Sequence, residues 1–186
     1  MIKNIVPIAS PVVNYLTYIQ AYCGVNWLIE DTEHIQGLLS EEDRSFIQAC
    51  SADLSFGDGS CSSLTELFYF LPAYVFREIS EGITEYFSCL SQCHKAKNLF
   101  PLLERYGNFI CRLQEFNSHF LSNIRALEDE EVLNKIELLS IIYKANYSCY
   151  MQLIWDNDRA LIEKTCDYIN VLFADNDIIG KWEAVT

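Results

Sequence analysis

Cys89, Cys93 and His94 are the residues whose types and spacing come nearest to chemistry in this chain. Thiolates four residues apart share one face of a helix. Tetrahedral zinc needs four donors, so Cys111 or His119 on a neighbouring helix would have to complete the set. Structural zinc sites usually hold their thiolates in C-x-x-C knuckles on turns, and no C-x-x-C occurs here. On a helix His94 also points about 100° away from Cys93. Buried thiols beside a helix-end histidine account for the same letters, and no cofactor is expected.

Other metal chemistry fits less well. A di-iron carboxylate bundle requires Glu-x-x-His on two helices. The nearest approaches are Asp31-Thr32-Glu33-His34 and the wrongly spaced Glu115 and His119, with Glu66, Glu78, Glu81 and Glu85 as further carboxylates. His34 and His119 are the histidines that a haem iron could use. Asp175-Asn176-Asp177 begins like a calcium loop but places Ile179 at the fifth position, where an oxygen ligand belongs, and Thr186 at the twelfth, where a bidentate Glu is wanted. No nucleophile elbow, phosphate-binding loop, dinucleotide fingerprint or H-E-x-x-H motif is present. Cys61, in the glycine-containing loop 55–62, is the most exposed candidate for a Cys–His pair, but exposure alone does not activate a thiol, and a thiol in a turn is the favoured reading.

Charge narrows the partners. Thirteen Lys and Arg face 26 Asp and Glu, a net charge of -13. Residues 94–127 run the other way, with Lys95, Lys97, Arg105, Arg112 and Arg125 against Glu104 and Glu115, a local +3 that leaves -16 for the rest. An acidic body repels phosphate backbones and anionic bilayers, so neither nucleic acid nor membrane is an expected partner. A basic protein is the complementary one. The acids concentrate in Glu41-Glu42-Asp43, in Glu128-Asp129-Glu130-Glu131 and around Asp156 and Asp158, places where helix N-termini favour negative charge.

These groups must be positioned by helices. With only 7 Gly and 4 Pro in 186 residues, and half the residues apolar, long helices with few breaks are favoured over folds rich in turns. Ser10-Pro11 is a good helix start, Gly24 a break, Ser40 a second cap, and Ser63-Leu64-Thr65-Glu66 a capping box. Leu67–Phe76 is apolar almost all round, as a central helix or a homodimer face would be, and Pro72 should kink it. Positions 102, 106, 109, 113, 116, 120, 124 and 127 repeat as one long amphipathic helix, and positions 132 to 154 as another. Asp156-Asn157-Asp158 opens a last helix with Leu161, Ile162, Cys166, Ile169, Leu172 and Phe173 turned inward. The expected fold is a single all-α domain over 1–186, a bundle of about six helices, up-and-down or orthogonal. Residues 1–9 form an N-terminal arm and 175–186 a C-terminal tail.

Met1–Val13 has the apolar flavour of a signal peptide, but two prolines interrupt it and no cleavage site follows. The eight cysteines fall mostly at core-like helical positions, which favours reduced thiols over a disulfide framework and hence a cytoplasmic protein. Without a catalytic constellation, the functional expectation is a non-enzymatic interaction module. An inhibitor, immunity or antitoxin-type protein that binds a basic protein would look like this, with Glu41, Glu42, Asp43, Glu128, Asp129, Glu130 and Glu131 facing the partner. The alternative is a helical-bundle enzyme or ligand carrier, haem-oxygenase-like or metal-dependent, with a pocket lined by Tyr69, Tyr74, Tyr86, Tyr106 and Tyr143.

Overall fold

In the computed structural model, residues 7–26, 38–56, 62–93, 96–122 and 129–176 are described. Every regular element among them is helical, and the fold is an all-α bundle. α1 (Pro11–Tyr22) starts where Ser10 accepts the Val13 N–H and Pro11 fills the first helical position. It ends in a Schellman turn, with Gly24 at φ 68° and the Val25 N–H returning to Gln20 O. Asn26 then ties this end to the next layer. Its amide donates to Gln20 Oε1 and Leu54 O, and its carbonyl accepts the Phe56 N–H.

α2 (Glu41–Ala49) is capped by Ser40, whose oxygen accepts the Asp43 N–H, and α3 (Ser51–Leu54) follows directly. The next helix starts one residue earlier than its capping box suggests. Ser62, not Ser63, caps α4 (Ser63–Thr65), accepting the Leu64 and Thr65 N–H groups. A π turn, Glu66–Phe70, leads into α5 (Leu71–Val75). Pro72 has no N–H to give to the preceding turn, and the wider π turn before it absorbs that gap without a kink that ends the helix. Leu67, Phe68, Leu71, Pro72 and Phe76 are buried, so the apolar segment belongs to the interior rather than to an outer face.

α6 (Ile83–Leu90) is followed by α7 (Ala96–Glu104) and α8 (Gly107–Phe116). The single long helix expected over 102–127 is therefore divided at Arg105-Tyr106, and α8 stops at Phe116. Backbone bonds from Arg105 to Leu102 and from Tyr106 to Leu103 make that join a tight i,i+3 turn. Such a turn advances the chain at nearly the helical angle, so the sequence period passes through it intact.

α9 (Glu130–Tyr150) is the centre of the bundle. Asp129 caps it by accepting the Glu131 N–H. It buries Leu133, Ile136, Leu139, Tyr143, Tyr147 and Tyr150, and its most extensive packing is against α6. A second π turn, Met151–Trp155, carries the chain straight into α10 (Asp156–Asn176), so the break expected at Asp156 does not occur. α10 packs less closely than expected: Ile162, Cys166, Ile169, Leu172 and Phe173 are half-buried, and Leu161 is exposed. The helix has no extensive contact with any described element except the π turn it grows from. Leu161 is 68% exposed and Tyr168 64%. No helix among the described residues is long and apolar enough to cross a membrane.

Candidate functional site

The acidic residues lie mainly at helix starts. Glu41 and Glu42 are exposed and Asp43 is half-buried at the head of α2, while Asp129, Glu130 and Glu131 are exposed at the head of α9. Glu128 lies outside the described residues. Lys135 draws part of this charge inward. Its ammonium sits 3.0 Å from Asp53 and 3.1 Å from Glu131. Hydrogen bonds to those two carboxylates hold the Lys135 pKa above its ordinary value. Glu131 therefore has a partner within the chain, whereas no ion pair to Glu41, Glu42 or Glu130 is seen among the described residues.

The five tyrosines separate by depth. Tyr86 and Tyr143 are fully buried, and burial pushes both hydroxyls well above the ordinary tyrosine range. Tyr86 donates to Leu67 O at 2.8 Å and packs edge-on against Tyr106. Tyr143 lies against Tyr15, Phe68 and Phe87. Its hydroxyl neighbours the Gln20 side chain without making a hydrogen bond of ordinary geometry. Around it a tyrosine cluster joins α1 to α9, with Tyr15 donating to the Tyr143 carbonyl and Tyr150 paired to Asn14. Tyr69, Tyr74 and Tyr106 are half-buried, Tyr69 against Phe56 and Tyr74 against Phe109. Tyr86 and Tyr143 thus act as core-filling aromatics, with Tyr106 packed against Tyr86.

The thiols do share a cleft. Cys89, Gln92, Cys93, Pro101, Leu102 and Arg105 line a cavity of about 250 Å³ between α6 and α7. Cys93 lies at its floor, 4% exposed, and donates its thiol hydrogen to Cys89 O at 3.2 Å. Burial, then the neighbouring Cys89, pushes the Cys93 thiol up to about 11. Arg105 reaches across the mouth, its Nη1 lying 4.0 Å from Cys89 Sγ and 3.4 Å from Glu85 Oε1. His94 is outside the described residues, and Cys111 is exposed on α8. No group of three or more metal-ligating side chains occurs among the described residues.

Glu66 shows what motif reading missed. Its carboxylate was expected to complete a capping box. Instead it is 2% exposed and accepts the Leu121 N–H at 2.9 Å, 55 residues away. Desolvation raises its pKa to about 7, against the opposing pull of the Leu121 amide. Leu121 is the only non-glycine residue at positive φ among those described (62°), a backbone region disfavoured for a γ-branched side chain. The S-x-x-E pattern carries no trace of this long-range tie.

No family model, no curated protein and no solved structure matches the chain.

Proposed function

We propose that the protein is a non-enzymatic interaction module of the inhibitor, immunity or antitoxin type, and that its partner is a basic protein. The observation that carries this reading is α10. A 21-residue helix about 30 Å long stands on the bundle with Leu161, Tyr168 and Val171 exposed. Exposed apolar side chains in a row along one helix are the usual mark of an interaction surface. The charges beside that row favour a cation-rich partner. Asp156, Asp158 and Asp167 are exposed, Lys164 is an exposed cation within the row itself, and Arg159 is taken up by Glu163 at 2.7 Å, which leaves the acids in excess. The acidic heads of α2 and α9 add to the net negative charge, which would speed encounter with such a partner. Among the described residues every cysteine is a free thiol, which fits a reducing, cytoplasmic setting.

The test is binding by immobilised protein from extract at low salt, followed by a salt step and by α10 variants. Retention of a basic protein should fall steeply as ionic strength passes through about 0.15 M. It should be lost in the Leu161→Ala/Tyr168→Ala/Asp158→Lys/Asp167→Lys variant. A partner that withstands the salt step, or that binds this variant equally well, overturns the reading, as does the absence of any retained protein.

A further inference from the structure

We propose that Cys89 and Cys93 form a peroxide-oxidised thiol pair that closes reversibly into a disulfide. Three observations meet in one cleft. First, residues one helical turn apart have Cα atoms about 6 Å from each other, a span a disulfide tolerates. Their Cβ atoms lie about 5–6 Å apart against the roughly 3.5–4.5 Å a disulfide needs, so closure requires the chain to move at Cys93. Cys93 is turned back toward that turn, its sulfur 3.2 Å from Cys89 O. Second, α6 ends at Leu90, and Cys93 is reached through i,i+3 bonds from Gln92 to Cys89 and from Cys93 to Leu90. This loose end can adjust its dihedrals to bring the sulfurs together, which the middle of a helix resists. Third, the 250 Å³ cavity admits a small oxidant to the half-buried Cys89. The Arg105 guanidinium stands there at 4.0 Å from the sulfur, positioned by Glu85.

The chemistry balances with one peroxide. The Cys89 sulfur attacks an oxygen of hydrogen peroxide, so an S–O bond forms and the O–O bond breaks. The departing hydroxide takes the proton lost by Cys89 and leaves as water, with Arg105 N–H donors at hand for the oxygen that gains charge. Cys89 is then a sulfenic acid, oxidised by two electrons. The Cys93 sulfur attacks the Cys89 sulfur, forming S–S and breaking S–O. The second hydroxide leaves with the Cys93 proton as another water. Burial that keeps the Cys93 thiol protonated argues against it as the first attacker, and in the second step its proton passes to the departing hydroxide as the S–S bond forms.

Cys111 provides an internal control, because it is the exposed thiol among those described. If exposure alone decided reactivity, Cys111 would oxidise first. The full chain is treated with one equivalent of hydrogen peroxide, alkylated and digested with trypsin. Residues 78–95 form one tryptic peptide holding Cys89 and Cys93 and no other cysteine. The expected result is that this peptide loses two hydrogens and resists alkylation while Cys111 is still alkylated, and that dithiothreitol reverses the change. In Cys93→Ser, Cys89 should stall as the sulfenic acid and take up dimedone severalfold more than in the unmodified chain. Arg105→Leu should slow the loss of the Cys89 thiol severalfold. Oxidation of Cys111 ahead of the 78–95 peptide overturns the proposal, and that reading needs no variant. So does a Cys93→Ser protein in which Cys89 takes up no dimedone.

Discussion

α9 and α10 are both 21 residues long, follow one another without a break, and have opposite fates. α9 buries nine residues, including three tyrosines, between α1, α6 and the first π turn. α10 leaves Leu161, Tyr168 and Val171 in solvent. Both are amphipathic on paper. Amphipathicity states that a helix has a face to cover, but it does not say what covers it. For α9 the cover is within the chain. For α10 we place it in a partner.

The comparison breaks most sharply at Tyr143. Tyr143→Ala empties a site enclosed by Tyr15, Phe68 and Phe87. It should cost about 3–5 kcal/mol in a urea titration, the usual range for removing a buried aromatic. Tyr143→Phe removes only a hydroxyl without an ordinary hydrogen bond and should change stability by less than about 1 kcal/mol. A small effect from Tyr143→Ala would mean that α9 is not the centre of the fold.

Glu66 sharpens the contrast through pH. Its folded pKa, about 7, lies above that of an unfolded glutamate. Between roughly pH 4.5 and 7 the native state therefore holds a proton that the unfolded chain releases, and stability falls as pH rises through this window. The loss attributable to Glu66 should be on the order of 2–3 kcal/mol. Glu66→Gln keeps an acceptor for the Leu121 N–H but cannot ionise. Unfolding free energies from pH 4.5 to 7.5 should decline less steeply for Glu66→Gln than for the unmodified chain. Parallel curves would show that the carboxylate stays ionised in the fold.

The smallest effect belongs to α10. Leu161→Ala and Tyr168→Ala should each shift stability by no more than about 0.5 kcal/mol, as surface substitutions do. A loss above about 1 kcal/mol would show that α10 is held by its own chain and would remove the main support for partner binding.

How much of this could be read from residues depended on range. Ser10 and Ser40 were legible as caps because a cap and its N–H donor lie within three residues, whereas Asp129 was legible only as part of an acidic run suited to a helix start. Gly24 was legible as a break because a Schellman turn needs positive φ. The division of the 102–127 pattern was hidden, because the turn at Arg105-Tyr106 preserves the period. Glu66 was misread because its partner is remote in sequence. The thiol pair was legible as a spacing, but the guanidinium beside Cys89 comes from the turn that joins α7 to α8, and only folding brings it there.

The π turn at Met151–Trp155 has an angular consequence. Each residue added to a helix rotates everything beyond it by about 100°, and a π turn inserts one residue relative to the α repeat. The fully buried row of α9 steps from Tyr150 to Trp155, with Ile154 half-buried beside it, and Ile162 beyond also packs against the core. Leu161 and Tyr168 stand seven and fourteen residues after Ile154, on the row that an uninterrupted α-helix would have kept facing inward. The π turn moves them off that row by one residue's worth of backbone, so the face that the α9 period would have turned inward is turned aside as α10 begins.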